Sequence, residues 1–190
     1  ELLPLKIVNL SKAESKLYDV KEMAKNCLVP KEAVEYAVIH LGSSHWHENE
    51  EVVEAEEIFP EVLNCVTNVL EAFPKAEFVV SGVPLRDPSL AGDNAEKCNQ
   101  INSEIGMLND SLKAFARSER VVTYCDNTNI LISDKQEAGE IKHYENSYQL
   151  SKEGRCILHN NIKKALDEAV QISVMAGEWK TVKSDSSKTK

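Results

Sequence analysis

The chain has 190 residues, 42% of them hydrophobic, and a formal net charge of −9. This length and composition fit one globular domain with its own core and do not support a second one. The acidic balance disfavours direct binding to nucleic acid or to an anionic membrane, because both require a basic protein surface.

The cysteines indicate a reducing environment. They are odd in number, widely spaced and contain no Cys-x-x-Cys pair, which argues against a disulfide framework or a zinc site. The five are Cys27, Cys65, Cys98, Cys125 and Cys156. No apolar run approaches the roughly 20 residues that span a bilayer, and no signal-type segment occurs. We therefore expect an intracellular, cytoplasmic setting, no membrane association and no cofactor.

Four short segments predict β-strands. Each is apolar on both faces and rich in β-branched residues, which is typical of strands covered by helices on each side. They are residues 5–10, 36–41, 77–81 and 120–124.

Segments of helical period separate these strands. Pro60 is expected at the first position of one helix, whose apolar repeat ends at Pro74. Asp93 and Glu96 suggest an acidic capping box, followed by an apolar stripe from Cys98 to Phe115. The glutamate-rich residues 48–57 are interpreted as a solvated helix face or an acidic loop.

The C-terminal part of the chain divides into a loop, a helix and a tail. Residues 126–148 have weak periodicity and predict a long loop over the carboxyl ends of the strands, where open α/β sheets place their sites. A last helix is expected to begin near Gly154. From residue 178 onward the polar composition predicts disorder. The predicted organisation is one domain, residues 1–177, and a disordered polar tail, residues 178–190.

Alternating strands and helices with connections of crossover length predict an α/β fold. The expected architecture is a three-layer α/β/α sandwich with a mostly parallel, flavodoxin-like sheet.

Four segments carry a family resemblance, residues 7–20, 38–45, 79–87 and 146–155. The last begins at Asn146, reaches Gln149 three residues later, and continues through Leu150-Ser151 to Gly154. In this order the segments resemble the sequence blocks of the SGNH (GDSL-type) hydrolases. In their residue pattern they are most similar to the esterase-like domain in the first open reading frame of LINE-type retrotransposons. The resemblance implies an SGNH-like fold that lacks the first strand.

The reactive positions depart from that family. SGNH hydrolases use a Ser in a Gly-Asp-Ser turn, a His base, an Asp that orients it, and a Gly and an Asn that hold the oxyanion. No Gly-Asp-Ser occurs here, and Glu14 or its neighbour replaces the oxyanion Gly of the second block. Ser44, two residues after Gly42, replaces the Asn. Asn146 and Gln149 replace the Asp and the His, and neither carries charge or transfers a proton near neutral pH.

These departures predict a catalytically inactive SGNH hydrolase-like module. It would act in binding or assembly, through a protein partner or self-association, in a retroelement-derived protein. We name Gly42, Ser44, Asn146 and Gln149 as degenerate site positions and no residue as catalytic. The alternative is an esterase whose Gly-Asp-Ser block lies upstream of Glu1 or whose base is displaced to His143 or His159. A third hypothesis is a reader of small acyl or sugar ligands.

A missing first strand also has a structural consequence. Residues 5–10 and 36–41 must either pair directly or receive a strand from outside this chain, since unpaired ladder groups inside a sheet are costly. We expect that the natural protein continues upstream of Glu1.

The remaining polar candidates have simpler explanations. His45 and His47 could bind zinc only with a third ligand such as His143 or Asp126, so incidental loop histidines are favoured and no metal is predicted. Ser43 and Ser44 are interpreted as caps rather than nucleophiles. Asp87 and Asp126 lie at strand ends, where Asp is an ordinary turn residue.

Overall fold

Three of the four predicted strands form a parallel sheet in the order β1-β2-β3. The computed structural model describes residues 17–46, 52–131 and 143–186. The strands are β1, Tyr36–His40; β2, Glu77–Ser81; and β3, Val122–Cys125. The helices are α1, Leu17–Lys25; α2, Ala55–Ala72; α3, Ala95–Ser118; and α4, Lys152–Ser186. The fourth predicted strand, residues 5–10, and Glu14 lie outside the described residues.

The neighbouring strands of this sheet all run parallel. Val38 of β1 lies beside Val79 of β2, which lies beside Thr123 of β3. α2 connects β1 to β2 and α3 connects β2 to β3, as parallel neighbours require. β3 starts two residues later than predicted, because residues 119–122 form a turn in which Val122 N donates to Glu119 O at 3.3 Å.

Helices cover both faces of this sheet. Phe78 and Val80 belong to the larger core, which they share with buried residues of α2 and α3. Val79, between them, packs on the opposite face with Ala165 and Ala169 of α4. This alternation follows from the two-residue period of a strand. The predicted three-layer α/β/α sandwich is confirmed.

The start of α2 was predicted wrongly. The helix begins at Ala55, and Pro60 lies inside it rather than at its first position. Its first turn is capped from another helix, because Ala55 N donates to a Glu104 carboxylate oxygen of α3 at 2.7 Å. Glu56 and Glu57 are exposed in that first turn, where the helix dipole favours negative charge.

The start of α3 also differs from the prediction. Asp93 lies in a 3₁₀ turn, Gly92–Asn94, and no side chain caps α3. The predicted capping box is therefore wrong. The apolar stripe of this helix is buried as expected.

The last helix begins within two residues of its predicted start. Ser151 caps it, because its Oγ accepts from Gly154 N at 3.1 Å. A Cβ at Gly154 would lie 2.1 Å from the carbonyl oxygen of His143, so only Gly permits this approach. α4 continues to Ser186 and thus overlaps most of residues 178–190. The division into a domain and a tail stays a prediction.

In the part of the chain that the structure describes, no helix is both long enough and apolar enough to cross a membrane.

Candidate functional site

The candidate site lies where the parallel strands end. β1 is followed by Gly42 and a 3₁₀ turn, Ser43–Trp46. β2 is followed by residues 82–87 and β3 by Asp126 and Asn127. Because parallel strands end at one edge of a sheet, these three loops are neighbours, which is where open α/β folds bind ligands.

Gly42 has a backbone that other residues rarely adopt. Its φ is +108°, in the region that glycine enters without a Cβ penalty. An added Cβ would lie 3.2 Å from Val83 and 3.3 Å from Leu108. Gly42 thus lets the turn after β1 pass close to the loop after β2. The backbone of Ser44 lies in the following 3₁₀ turn, but its side chain lies outside the described residues.

The structure brings Asn146 and Gln149 together. Asn146 Nδ2 donates to Gln149 Oε1 at 3.2 Å. Asn146 Oδ1 accepts from the backbone N of Tyr148 at 3.1 Å and of Gln149 at 2.8 Å. The amide of Asn146 therefore closes a tight turn and contacts the side chain three residues ahead of it. Gln149 is exposed and Asn146 is partly buried.

The segment around this turn is hydrogen-bonded to the loop after β2. The Tyr144 hydroxyl donates to the carbonyl oxygen of Leu85, and Asp87 N donates to Ser147 O at 2.8 Å. Burial raises the pKa of Tyr144, so the phenol stays protonated and can donate. Tyr144 and Leu150 also form a β-bridge that closes the segment at its base.

A cleft of about 130 Å³ opens between these loops. Its polar lining is contributed by His40, Ser43, Arg86 and Tyr148, so the end of β1 and the turn of Asn146 and Gln149 meet at one site. Among the predicted positions, Gly42 and Gln149 are chain neighbours of lining residues and do not line the cleft themselves.

Two asparagines of α3 position the loop after β2. Asn109 Oδ1 accepts from Val83 N and its Nδ2 donates to Val83 O, both at 2.8 Å. Asn102 forms the same pair of bonds with Arg86, at 2.7 and 2.9 Å. Asn102 and Asn109 are seven residues apart on α3, which corresponds to a rise of about 10.5 Å along the helix. Their partners Arg86 and Val83 are three residues apart, which corresponds to about 10 Å of extended chain. The match indicates that the loop runs extended and antiparallel along α3.

The role of Asn109 was not predicted from the sequence. The usable signal was a polar residue within the apolar stripe of α3, where Asn109 lies between the buried Leu108 and Leu112. Buried polar side chains are normally hydrogen-bonded, so its position indicated a specific partner.

A buried polar network underlies the cleft and was also missed. Ser81 Oγ lies 3.0 Å from His40 Nδ1 and accepts from Asn127 Nδ2 at 2.9 Å. Asn127 Oδ1 in turn accepts from Asn161 of α4 at 3.1 Å. Ser81 and Asn127 are each 1% exposed. Desolvation of the ring lowers the pKa of His40, and a hydrogen bond to the backbone of Ser81 opposes this shift. The residue as a whole retains an exposed surface.

The other candidate residues have structural roles. The Asp87 carboxylate accepts from Ser89 N at 2.9 Å, and that of Asp126 accepts from Thr128 N at 2.9 Å. Partial burial raises the pKa of Asp126, but the bonds from Thr128 outweigh it and the net shift is downward. Both aspartates are therefore turn residues, as the simpler interpretation held.

The structure shows no metal cluster within the described residues. His45 Nε2 lies 3.5 Å from a Glu61 carboxylate oxygen, and His143 Nδ1 lies 2.8 Å from Ile130 O. His47 lies outside the described residues. No group of three His, Cys, Asp or Glu side chains is close enough to hold an ion in residues 17–46, 52–131 and 143–186.

Neither a protein-family model nor a curated protein matches the sequence. Solved structures match the fold. A proposed platelet activating factor from Streptococcus pneumonia aligns with a TM-score of 0.59 at 16% identity, over 79% of this chain and 67% of that chain. A proposed acylhydrolase from Bacteroides fragilis aligns with a TM-score of 0.58 at 20% identity, over 80% and 68%. A GDSL-like lipase from Bacteroides thetaiotaomicron aligns with a TM-score of 0.58 at 18% identity, over 80% and 69%. The chain thus has an α/β fold of the SGNH hydrolase type.

Proposed function

We propose that this chain is a binding module with an SGNH hydrolase-like fold that does not hydrolyse esters. The observation that carries the proposal is the hydrogen bond between the side chains of Asn146 and Gln149, 3.2 Å long. The family resemblance assigns these positions to an acid and a base. Two amides cannot exchange a proton with a substrate near neutral pH, so general base catalysis has no source at this pair.

The amide pair also has a structural reason to be present. Asn146 Oδ1 accepts two backbone hydrogen bonds, from Tyr148 and from Gln149. Asn side chains favour such turns because their oxygen substitutes for a backbone acceptor. The turn therefore forms without any catalytic role for either residue.

Displaced histidines do not restore a base. His143 points its Nδ1 at Ile130 O, His159 is exposed on α4, and neither lines the cleft. His40 does line it, but its hydroxyl partner is Ser81, which is 1% exposed and closed to a substrate. A serine nucleophile needs both a nearby base and access to the acyl group.

The cleft supports binding in place of catalysis. It is formed by the same strand ends and loops that position a site in this fold class. In a larger, retroelement-derived protein, such a module would serve assembly through a protein partner or a second copy of itself.

Ester turnover and covalent labelling test the proposal. Hydrolysis of p-nitrophenyl acetate and butyrate is measured for the wild type, for Gln149→Ala, and for Gln171→Ala, which removes another exposed glutamine, on α4. We expect equal background rates for all three and no serine labelling by a fluorophosphonate probe. Wild-type turnover tenfold above Gln149→Ala, with Gln171→Ala unaffected, would refute the proposal. Labelling of any serine would refute it as well.

A further inference from the structure

The cleft combines one permanent cation with a mixed polar and apolar lining. Arg86 contributes the cation, and the partly buried Pro84 and Leu150 contribute most of the accessible apolar surface, because Val83 and Ile105 are 2% and 1% exposed. Its volume of about 130 Å³ greatly exceeds the roughly 10–15 Å³ that one water requires. Small-molecule sites combine apolar surface with a few polar groups that fix the orientation of the ligand.

Arg86 is held in place at both ends. Its backbone N and O are both bonded to the amide of Asn102, at 2.7 and 2.9 Å. Its guanidinium carbon lies 5.6 Å from the centre of the Tyr148 ring, within the range of a cation–π contact. A guanidinium fixed in this way loses little conformational freedom when a ligand binds, which favours affinity.

The charge of Arg86 is not balanced by a carboxylate in the described ranges. The salt bridges found there join Lys25 to Glu22, His45 to Glu61 and Arg155 to Glu145. The adjacent carboxylate of Asp87 accepts from the backbone and hydroxyl of Ser89 instead. Partial burial of the guanidinium lowers the pKa of Arg86. An anion in the cleft would oppose that shift.

We infer that this cleft binds a small organic carboxylate, with Arg86 pairing to the carboxylate and Pro84 and Leu150 contacting a short apolar chain. The inference rests on the proposed function and names the ligand class of that site. A guanidinium presents two parallel N–H groups that match the two oxygens of a carboxylate. A phosphate dianion fits less well, because one cation cannot neutralise it and the protein carries a net charge of −9.

Titration with butyrate, followed by NMR shifts of the protein amides, tests the inference. We expect saturable binding that Arg86→Gln weakens at least about tenfold, because charge-assisted hydrogen bonds are lost. Arg120→Gln removes an exposed arginine from the turn between α3 and β3 and is expected to leave the affinity unchanged. Tyr148→Leu removes the ring under Arg86 and is expected to weaken butyrate binding while the fold, followed by far-UV circular dichroism, is retained.

Two further ligands identify what the cleft recognises. Butyramide has the size of butyrate without its charge, and we expect no saturation with it. Inorganic phosphate is expected to bind more weakly than butyrate. Absence of butyrate binding, equal affinity of Arg86→Gln, equal binding of butyramide, or tighter binding of phosphate would each overturn the inference.

The two proposals can fail separately. Butyrate is not hydrolysed, so its binding is independent of ester turnover. Butyrate binding together with Gln149-dependent ester hydrolysis would refute the proposed function and keep the carboxylate site. No butyrate binding and no turnover would overturn the carboxylate site alone.

Discussion

Replacing Asn109 tests whether side-chain amides hold the loop after β2. Asn109 is 6% exposed and bonds to both backbone groups of Val83, which is 2% exposed. In Asn109→Ala, a buried N–H and a buried C=O of Val83 lose their hydrogen-bond partner. Each such group costs about 1–3 kcal/mol, so we expect a loss of about 2–6 kcal/mol in the free energy of unfolding.

Asn102→Ala provides the matched control. Asn102 makes the same two bonds to Arg86, but both residues are only partly buried. Water can replace the amide there, so the expected loss falls to about 0.5–1.5 kcal/mol, the net value of an ordinary hydrogen bond. The chemistry of the two substitutions is identical, and only the burial of the partner differs.

Urea denaturation followed by circular dichroism measures both losses. The slope is the dependence of the free energy of unfolding on urea concentration. When it is the same for all variants, the shift of the urea midpoint reports the change in stability, so the variants are compared at a common slope. Asn109→Leu, which keeps the volume but not the hydrogen bonds, is expected to lose as much as Asn109→Ala. Equal losses for Asn109→Ala and Asn102→Ala, or a loss below about 1 kcal/mol for Asn109→Ala, would refute the reasoning.

Two further experiments test the backbone strain at Gly42 and the reactivity of Cys125. Gly42→Ala places a Cβ at φ +108° and 3.2 Å from Val83, so we expect a loss of about 1–3 kcal/mol in urea denaturation. Gly106→Ala, whose Cβ meets nothing within 4 Å, is expected to stabilise α3 by up to about 1 kcal/mol; a similar gain for Gly42→Ala would contradict the strain argument. Cys125 is 2% exposed, and burial raises its pKa to about 11, so at pH 9 only about 1% is thiolate. Mass spectrometry should show iodoacetamide modifying the exposed Cys156 long before Cys125, and equal rates would contradict this.

The strands could be predicted because their signal is local. β2, Glu77–Ser81, has the predicted bounds, and β1, Tyr36–His40, differs by one residue. The start of α2 could not be predicted because its cap comes from Glu104, which lies 49 residues away in the sequence. A helix boundary set by a distant side chain leaves no mark in the adjacent residues.

In the candidate site, too, local features could be predicted and contacts between distant residues could not. Asn146 and Gln149 were named from their place in one local sequence block, and their hydrogen bond is a property of one turn because three residues separate them. The network of Ser81, Asn127 and Asn161 joins side chains that lie 46 and 34 residues apart. Only the parallel register of β2 and β3, with α4 packed behind them, brings these groups together.

The contacts around Asn146 explain why an amide serves at this position. Its oxygen fixes the backbone N of Tyr148, and the Tyr148 ring lies against Arg86, whose backbone is fixed by Asn102. A carboxylate at residue 146 could accept the same backbone bonds, but it could not donate to Gln149 Oε1 as Asn146 Nδ2 does. Its negative charge would also lie on the segment that supplies Tyr148, where it would compete with an anion for Arg86. An uncharged turn at residues 146–149 would therefore leave Arg86 available to the carboxylate that we propose as the ligand.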